Sequence, residues 1–572
     1  MDDAGTAWAA GEDAMTAVAP EGGLFARLDP VNLTSSLLAV AGRAALNPVA
    51  SSGAFWQFGC ALARIGPEAA AAWAGRDEDD RGRTALSRDK RFADPAWREN
   101  PAFLAVGLAY LAAVQLADDL LTAGRGDPVA DAKARLASDL VLAALAPTNY
   151  LVANPAALKR AFDTGGASVV AGARNFIDDL RNNKGMPRQV DTRPFEIGRN
   201  MAATPGKVVF RNELMELIQY APQTSQVRSV PMLASPPWIN KYYIMDLAPG
   251  RSFLEWAVQH ERTVFAISYR NPDSSMSGVT LDDYLVDGPR TALDVITDIT
   301  GAAKVDLVGL CLGGALTGML AAYLAHTGDQ RLGSITLLNT LLDYSEPGVL
   351  GAFTDELTVS RLERKMKEHG VLEGSEMAAT FDALRPNDLI FNYVVSNWLL
   401  GQDPPAFDIL AWNSDNTRMP AAMHAFYLRS LYLRNELARG LLEVKGQRLS
   451  LADVKSDTYV VGAINDHIVP WPASYKATRL MGGEVRYVLS SGGHIAGIVN
   501  PPGPKAWYEE AKPPYPVSAA QWHAAAAHHS GSWWEDWTRW AGRRAGRRAD
   551  PPPMGSERYP AVADAPGSYV HG

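Results

Sequence analysis

Cysteine is nearly absent from this sequence: only Cys60 and Cys311 stand among its 572 residues. They allow one disulfide at most, and a chain of this length buries a sizeable core without one, so reduced cysteines are the default. Glycine and proline, with 49 and 37 residues, are too few for a collagen-like or low-complexity protein. The composition therefore indicates a globular protein with room for roughly two to four domains.

A strong excess of one charge and a long apolar run are also missing. The 54 basic and 63 acidic side chains give a net charge of −9, whereas a general nucleic-acid binder shows a basic face. The first residues carry acids where a secretory signal carries Lys or Arg. The longest apolar run, near Ala102–Val114, falls short of the about 20 residues that span a bilayer. We therefore expect a cytoplasmic protein with no nucleic-acid partner and no transmembrane segment.

The pattern of apolar residues changes near residue 190. Residues 51–180 show helical spacing and follow a weakly patterned stretch over 1–50, so we predict a mainly helical N-terminal domain over 1–190. Beyond them, short β-rich runs alternate with helical stretches; the runs are Lys241–Asp246, Thr263–Tyr269, Val305–Gly309, Ser334–Leu338, Thr458–Val461 and Glu484–Leu489. This alternation predicts a mostly parallel sheet, covered on both faces, in a catalytic domain over 191–572. It stops between about 342 and 450, which predicts a helical cap subdomain there.

The most informative segment runs from Gly309 through Cys311 to Gly313, between a strand and a helix. It has the nucleophile-elbow pattern, with Cys in place of the usual Ser, and the sharp turn requires small residues at both glycine positions. The helix N-terminus favours a thiolate, and the Leu312 amide is placed to donate to an oxyanion. The alternative is a structural cysteine in a glycine-rich turn, because free cysteine is often buried and inert.

An acid and a histidine follow Cys311 in the order used by α/β-hydrolases. Asp466 stands in a loop after one β-rich run, and His494 follows Gly-Gly after the next. We therefore predict a Cys311–Asp466–His494 triad on an α/β-hydrolase fold with a helical cap insertion and a helical N-terminal domain. His467 is expected to support the site rather than act as its base, since adjacent loop residues usually point apart.

The sequence shows no motif typical of a metal-binding or nucleotide-binding site. Three histidines near the end of the chain lack Cys or acid partners at metal spacing: His523, His528 and His529. Neither a P-loop nor a Gly-x-Gly-x-x-Gly after a strand occurs. We therefore expect no metal and no cofactor.

Several stretches give the sequence a more specific likeness: Asp89–Trp97, Ala146–Tyr150, Phe195–Asn200, Val208–Tyr220, Pro236–Tyr243, Ser268–Asp273, Arg385–Asp388, Trp412–Asp415 and Gly493–Pro501. From about residue 90 to its end the chain resembles the poly(3-hydroxyalkanoate) synthases, most closely the class I enzymes. The resemblance implies that Cys311 is the nucleophile, Asp466 the acid and His494 the base, with Trp412 near the active site. Two departures, Leu-Cys-Leu at the elbow and Trp238 where a small residue or Cys is common, would reshape the acyl pocket.

The same resemblance implies an enzyme that polymerises (R)-3-hydroxyacyl-CoA thioesters into polyhydroxyalkanoate polyester through an acyl thioester on Cys311. It implies a cytoplasmic homodimer on polyester granules, with dimer and granule contacts in the helical N-terminal domain. The oxyanion would be held by the Leu312 amide and a second amide near Ile239–Asn240. The alternatives are a thioesterase or polyester hydrolase of the same fold, or a non-catalytic granule-associated protein.

Some roles stay open at this stage. The base for the attacking hydroxyl is His494 or Asp466, and Arg385 and Arg418 serve either the CoA phosphates or the structure. The segments Asp388–Trp398 and Phe426–Tyr432 suit an apolar wall that excludes water, or ordinary helix packing. The tryptophans near the end of the chain are expected to pack on the protein body rather than contact polymer: Trp533, Trp534, Trp537 and Trp540.

Overall fold

The computed structural model describes residues 33–74 and 81–572, so the first 32 residues of the expected N-terminal domain lie outside the described part. The chain divides into two compact units. One comprises Met1–Asp191 and Glu376–Ala406, and the other comprises Thr192–Ser375 and Phe407–Gly572. Part of the expected cap, 376–406, is thus assigned to the first unit. The domain boundaries expected from the sequence stay predictions.

The first unit is helical, and a repeated local signal starts four of its helices. Its helices before residue 192 are Leu33–Ala45, Pro48–Trp73, Arg81–Arg88, Ala96–Glu99, Pro101–Ala123, Pro128–Ala144, Pro155–Asp163 and Ala167–Asn182. The side chains of Asn47, Asn100, Asp127 and Asn154 each accept a hydrogen bond from a backbone amide of the first helical turn. A proline follows each of them at the first helical position, where its missing N–H costs nothing.

Helix Pro101–Ala123 is, among the described residues, the one helix long and apolar enough to cross a membrane. The helix is longer than the apolar run near Ala102–Val114 from which the sequence argument was made, because it continues to Ala123. Leu104 and Leu108 nevertheless pack in a buried cluster that contains Trp97. The apolar stretch of this helix is 28% buried, and length and composition by themselves are weak evidence for a membrane span.

The second unit is built on an eleven-stranded mixed sheet with the order β15-β14-β13-β12-β7-β6-β4-β5-β2-β1-β17. Its strands are β1 Gly206–Arg211, β2 Met215–Tyr220, β4 Met232–Ser235, β5 Val264–Tyr269, β6 Val305–Leu310, β7 Leu332–Leu338, β12 Thr458–Ala463, β13 Val485–Ser490, β14 Trp507–Glu510, β15 Ala527–Ser530 and β17 Ala563–Asp564. The central strands from β13 to β5 pair in parallel, and the strands outside them pair antiparallel. Parallel strands place their carboxyl ends at one edge of the sheet.

Three short ribbons complete the strands of the described chain. They pair β3 Val227–Arg228 with β16 Arg548–Ala549, β8 Val371–Leu372 with β9 Met419–Pro420, and β10 Glu443–Val444 with β11 Gln447–Arg448. The helices of this unit are Phe253–Gln259, Leu281–Leu285, Thr291–Thr300, Leu312–Thr327, Glu356–His369, Asp408–Ser414, Ala421–Phe426, Trp471–Tyr475, Ala477–Leu480, Ala519–Ala525 and Trp533–Gly542. Helix Gly374–Leu384 runs across the boundary between the units.

The burial of the central strands confirms the predicted fold class. Every residue of β5, β6 and β12 is buried, as expected for parallel strands covered on both faces. One predicted strand was wrong: Lys241–Asp246 forms a short 3-10 turn, Tyr242–Ile244. The Met245 amide donates to the Tyr242 carbonyl oxygen, so the segment bonds within itself. The place between β5 and β6 in the sheet is already taken by the upstream strand β4.

The tryptophans near the end of the chain pack on the body of the second unit, as predicted. Trp533, Trp534 and Trp537 are at most 1% exposed. The indole N–H of Trp533 donates to the Gly497 carbonyl oxygen at 2.8 Å, and that of Trp534 donates to Ile498 at 2.9 Å. The helix Trp533–Gly542 therefore supports the loop that follows His494.

Candidate active site

Cys311 occupies a strained turn between β6 and the helix Leu312–Thr327. Its backbone has φ 53° and ψ −116°, a conformation that residues other than glycine rarely adopt. Its amide donates to the Leu338 carbonyl oxygen at 2.8 Å, which ties the turn to β7. Its carbonyl oxygen accepts from the amides of Gly314 and Ala315, at 3.0 and 3.1 Å, and so begins the helix. This is the geometry that the elbow pattern predicts.

The glycines around the turn allow backbone segments to approach closely. A Cβ on Gly309 would lie 2.5 Å from the Gly314 Cα, and one on Gly313 would lie 2.2 Å from the Ser235 carbonyl oxygen. The sequence analysis anticipated both small positions. It missed Gly314, whose Cβ would lie 1.9 Å from the Thr340 hydroxyl oxygen. The Gly-Gly pair at the helix start was the available signal for that contact.

Asp466 and His494 are joined directly across two loops at the carboxyl edge of the sheet. Nδ1 of His494 lies 2.7 Å from Oδ2 of Asp466, and the two side chains are 7% and 0% exposed. Oδ1 of Asp466 accepts from the amides of Ile468 and Val469, at 2.9 and 2.8 Å. One carboxylate oxygen thus anchors the acid while the other orients the imidazole, which leaves Nε2 to exchange a proton.

The pKa of His494 depends on both Asp466 and Cys311. Burial alone would lower the pKa of His494, but the Asp466 carboxylate, the charge on Cys311 and hydrogen bonds to both side chains outweigh it. The pKa of the imidazole is therefore raised well above its usual 6.5. The structure brings together the three side chains that the sequence analysis selected.

Three buried tyrosines lie close enough to Cys311 for its charge to act on them. The pKa values of Tyr344, Tyr427 and Tyr432 are raised, by burial first and also by the charge on Cys311. The Tyr427 hydroxyl donates to that of Tyr432 at 3.1 Å. The rings of Tyr344 and Tyr432 meet edge to face, with centroids 4.9 Å apart. Tyr427 and Tyr432 fall in the segment for which the sequence left open an apolar wall or ordinary helix packing, whereas Tyr344 was missed.

Comparison with known proteins places the chain in a family. Residues 88–257 match the family described as Poly-beta-hydroxybutyrate polymerase (PhaC) N-terminus, and residues 245–501 match the alpha/beta hydrolase fold family. A poly(3-hydroxyalkanoate) polymerase subunit PhaC of Cupriavidus necator is 41% identical over 521 residues, which cover 90% of this chain and 88% of the relative. This chain belongs to the poly(3-hydroxyalkanoate) polymerase family.

Other members of the poly(3-hydroxyalkanoate) polymerase family are similarly related. The poly(3-hydroxyalkanoate) polymerase of Methylorubrum extorquens is 42% identical, over 84% of this chain and 80% of the relative. Poly(3-hydroxyalkanoate) polymerase 1 of Ectopseudomonas oleovorans is 41% identical, over 85% of this chain and 87% of the relative. The family resemblance found from the sequence motifs is confirmed.

In this polymerase family member, Trp238 and the residues of the predicted second oxyanion donor, Ile239 and Asn240, occupy one stretch after β4. Trp238 is 2% exposed, and its ring lies perpendicular to that of Tyr427 with centroids 6.0 Å apart. Asn240, next to the buried Ile239, forms a β-bridge with Asn416. The Trp412 indole N–H donates to the Lys241 carbonyl oxygen at 2.9 Å. Trp412 therefore supports the stretch that carries the predicted second oxyanion donor.

The remaining candidates have structural partners. His467 is half-buried beside Asp466, while the imidazole that bonds the Asp466 carboxylate is that of His494. In the first unit Arg385 pairs with Asp388, and in the second unit Arg418 donates to the Pro272 carbonyl oxygen at 3.0 Å.

Histidines near the end of the chain face acids on β14. His523 lies 2.9 Å from Glu509, and His529 lies 3.4 Å from Glu510. The hairpin β14–β15, whose two strands were not predicted, brings His529 to Glu510, whereas His523 reaches Glu509 from the helix Ala519–Ala525. In the described ranges 33–74 and 81–572 no group of three or more His, Cys, Asp or Glu side chains is arranged to hold a metal ion.

We expect Gly313→Ala to destabilise the elbow. The added Cβ would overlap the carbonyl oxygens of Ser235 and Pro236, at 2.2 and 2.4 Å. Overpacking of this kind lowers the free energy of unfolding by about 1–3 kcal/mol. Urea unfolding followed by circular dichroism measures the loss. Gly542→Ala is the matched control, because a Cβ there meets nothing within 4 Å; equal unfolding midpoints for the two variants would contradict the prediction.

Proposed function

We propose that this chain polymerises (R)-3-hydroxyacyl-CoA thioesters into polyhydroxyalkanoate polyester, with release of CoA, through an acyl thioester on Cys311. The family supports the reaction, since its characterised relatives carry the name poly(3-hydroxyalkanoate) polymerase. The observation that carries the chemical assignment is the buried His494 imidazole, which lies 2.7 Å from Asp466 and whose pKa is raised by both Asp466 and Cys311.

The first half-reaction loads the enzyme. Nε2 of His494 takes the proton of the Cys311 thiol, and the thiolate attacks the carbonyl carbon of the substrate thioester. The bond between that carbon and the CoA sulfur then breaks, and CoA leaves as a thiol with the proton from His494. Exchange of one thioester for another is close to isoenergetic, so the acyl group remains activated.

The second half-reaction forms the ester. The 3-hydroxyl of another unit attacks the acyl thioester, His494 takes its proton, and the C–S bond to Cys311 breaks while the new C–O bond forms. Asp466 orients the imidazole in both steps. The engagement of its Oδ1 with two backbone amides favours this role over direct action of Asp466 on the hydroxyl.

The oxyanion of each step requires donors beside Cys311. The Leu312 amide is the first of a sixteen-residue helix whose N-terminus begins at the nucleophile, and a helix N-terminus favours negative charge. We assign the second donor to the stretch Ile239–Asn240, which follows β4 next to β6. The close packing of Gly313 against Ser235 and Pro236 supports this assignment.

Polymer formation also requires that an alcohol compete with water, which is present at about 55 M. Effective molarities of well-oriented groups reach roughly 10⁵–10⁸ M, so a positioned hydroxyl in a dry site prevails. The buried phenols of Tyr344, Tyr427 and Tyr432 are kept neutral by their raised pKa values. They supply an uncharged wall on the thiol side of the site.

The first unit suits contact with an apolar surface. Many of its large apolar side chains are exposed, among them Trp56, Trp73, Val152, Phe162, Val170 and Leu180. Exposed apolar surface on this scale marks an interaction site in a stable protein. We assign these side chains to polyester granules and to a second copy of the chain, which makes the protein a granule-associated homodimer of the cytoplasm.

One assay tests the proposed function against its alternatives. The purified protein is incubated with (R)-3-hydroxybutyryl-CoA while free CoA and the acyl product are followed together. We expect CoA release with insoluble polyester. CoA release with free hydroxy acid would indicate a thioesterase or hydrolase of the same fold, and no CoA release would indicate a non-catalytic granule protein.

We expect Trp238→Ala to shift acyl preference toward longer side chains. The indole borders the tyrosines next to Cys311, so its removal opens the pocket. Two additional methylene groups then gain about 0.8 kcal/mol each, which raises the ratio of kcat/KM for 3-hydroxyhexanoyl-CoA over 3-hydroxybutyryl-CoA about 15-fold. The half-buried Trp507 on β14 offers a control, since Trp507→Ala should leave the ratio unchanged; an equal ratio in Trp238→Ala and the wild type would contradict the pocket assignment.

A further inference from the structure

Asn339 is a fully buried residue at the carboxyl end of β7, outside every motif that identified the site. Its exposure is 0%, and its backbone has a φ of 42°. A positive φ is uncommon outside glycine, although asparagine tolerates it better than most residues. Strained residues of this kind persist where surrounding structure holds them, and they cluster at functional sites.

The hydrogen bonds at the end of β7 reach the strands and loops of all three triad members. Leu338, one residue earlier, accepts the bond from the Cys311 amide at 2.8 Å. The Asn339 amide donates to the carbonyl oxygen of Val461 at 2.9 Å, on the strand that leads to Asp466. The Asn339 side chain donates from Nδ2 to the carbonyl oxygen of His494.

The contact with His494 depends on the amide donor of the side chain. A carbonyl oxygen only accepts hydrogen bonds, so the NH₂ group of Asn339 must face it. Oδ1 of Asn339 has no hydrogen-bond partner within the described part of the chain, which leaves the NH₂ group as the part of the side chain that the site uses. His494 is thereby held at two points, its ring by Asp466 and its backbone by Asn339.

The loop around His494 needs such an anchor. Gly492 has a φ of 100°, and the Gly497 amide donates to the Gly493 carbonyl oxygen at 2.7 Å, so the histidine sits in a tight turn with glycine on both sides. Glycine-rich backbone is permissive and does not define its own conformation. A hydrogen bond from a rigid strand end removes that freedom at the histidine itself.

We propose that Asn339 is a positioning residue that sets the distance between His494 and Cys311 by tying the histidine backbone to the end of β7, where the Leu338 carbonyl oxygen accepts from the Cys311 amide. The proposal deepens the proposed function, on which its kinetic part rests. A misplacement of about 1 Å in a catalytic group costs about 10²-fold in rate. The effect should fall on the chemical steps, because the fully buried Asn339 side chain bonds the His494 backbone.

The test uses Asn339→Gly, which keeps the positive φ without strain and removes the amide. We expect kcat for CoA release to fall about 10- to 100-fold while KM stays within about twofold. Asn339→Asp should act in the same direction, because it places an oxygen against the His494 carbonyl oxygen, and it tests the proposal if the glycine variant does not fold. Lys445→Gly is the control: it also replaces a residue with positive φ, 48°, on the hairpin β10–β11.

A second readout separates positioning from loosened structure and is independent of polymerisation. Alkylation of Cys311 by iodoacetamide, followed by peptide mass mapping, reports on assistance from His494. If Asn339 positions His494, the Cys311 thiol of Asn339→Gly should be alkylated about tenfold more slowly than that of the wild type. A loosened fold would instead expose the thiol and make its alkylation faster. An alkylation rate or kcat equal to that of the wild type would overturn the proposal. If the wild type released no CoA, the proposed function would fail while alkylation still decided the role of Asn339.

Discussion

Cys311→Ser should lower CoA release by about 10³-fold or more while the fold survives. A serine hydroxyl gives up its proton far less readily than a thiol, and the acyl group on serine is an ordinary ester that no longer drives transfer to an alcohol. A 10³-fold loss corresponds to about 4 kcal/mol of transition-state stabilisation. The change from sulfur to oxygen is small, so the turn at φ 53° should remain.

The chain provides its own control for this substitution. Cys60 lies half-buried in the helix Pro48–Trp73 of the first unit, and Cys60→Ser should leave activity unchanged. Free CoA is measured with a thiol reagent, thermal unfolding checks the fold, and intact mass spectrometry detects the acyl adduct on the wild type. Near-normal turnover of Cys311→Ser, or an equal loss in Cys60→Ser, would show that the nucleophile lies elsewhere.

Asp466→Asn should cost about 10³- to 10⁴-fold in kcat, the size of effect known for the acid of serine protease triads. The asparagine Oδ1 can still accept from the amides of Ile468 and Val469, so the loop keeps its shape. Its NH₂ group then faces Nδ1 of His494. Two donors cannot share one bond, so the imidazole adopts the other tautomer, and Nε2 carries a hydrogen when it should accept one.

The same variant should change the pH dependence of stability. The pKa of His494 is raised above its unfolded value because Asp466 and Cys311 outweigh the effect of burial. A raised pKa contributes stability that is complete below the unfolded pKa of about 6.5 and is lost as pH rises through the folded pKa. The wild type should therefore exceed Asp466→Asn in stability most at pH below 6.5, and the difference should shrink at alkaline pH.

Urea unfolding at about pH 5.5 and pH 9 measures this difference. Asp355→Asn is a suitable control, because Asp355 caps the helix Glu356–His369 through the Thr358 amide and has no part in the proposed chemistry. Its kcat should stay near that of the wild type. A stability gap for Asp466→Asn that is the same at both pH values, or a kcat above a tenth of the wild-type value, would contradict the assigned role of the acid.

Much of the elbow was predictable because its requirements are local. A turn that exposes Cys311 needs small residues two positions before and after it, and Gly309 and Gly313 satisfy that need within five residues. The short β-rich runs likewise predicted the central parallel strands other than β4, since such strands are buried on both faces. The order of Cys311, Asp466 and His494 followed from the topology that these strands imply.

The sequence-based predictions failed where the local residue pattern of a segment disagrees with the position that the segment takes in the folded chain. Lys241–Asp246 has the composition of a strand, yet strand β4 upstream fills the place in the sheet. The sequence-based estimate of the helix Pro101–Ala123 used only its most apolar part. Tyr344 and Gly314 were missed because what they touch is decided by the packing of other segments.

The amino-acid sequence by itself determined the type of nucleophile, its turn and the order of its partners, because backbone sterics and strand burial act over a few residues. Only the tertiary structure decided that the Asn339 side chain reaches a carbonyl 155 residues away, that Tyr344 joins the wall of the pocket, and that Asp466 divides its two oxygens between its own loop and His494. These contacts join distant parts of the chain. Their free energy depends on distance in space, which spacing along the chain does not encode.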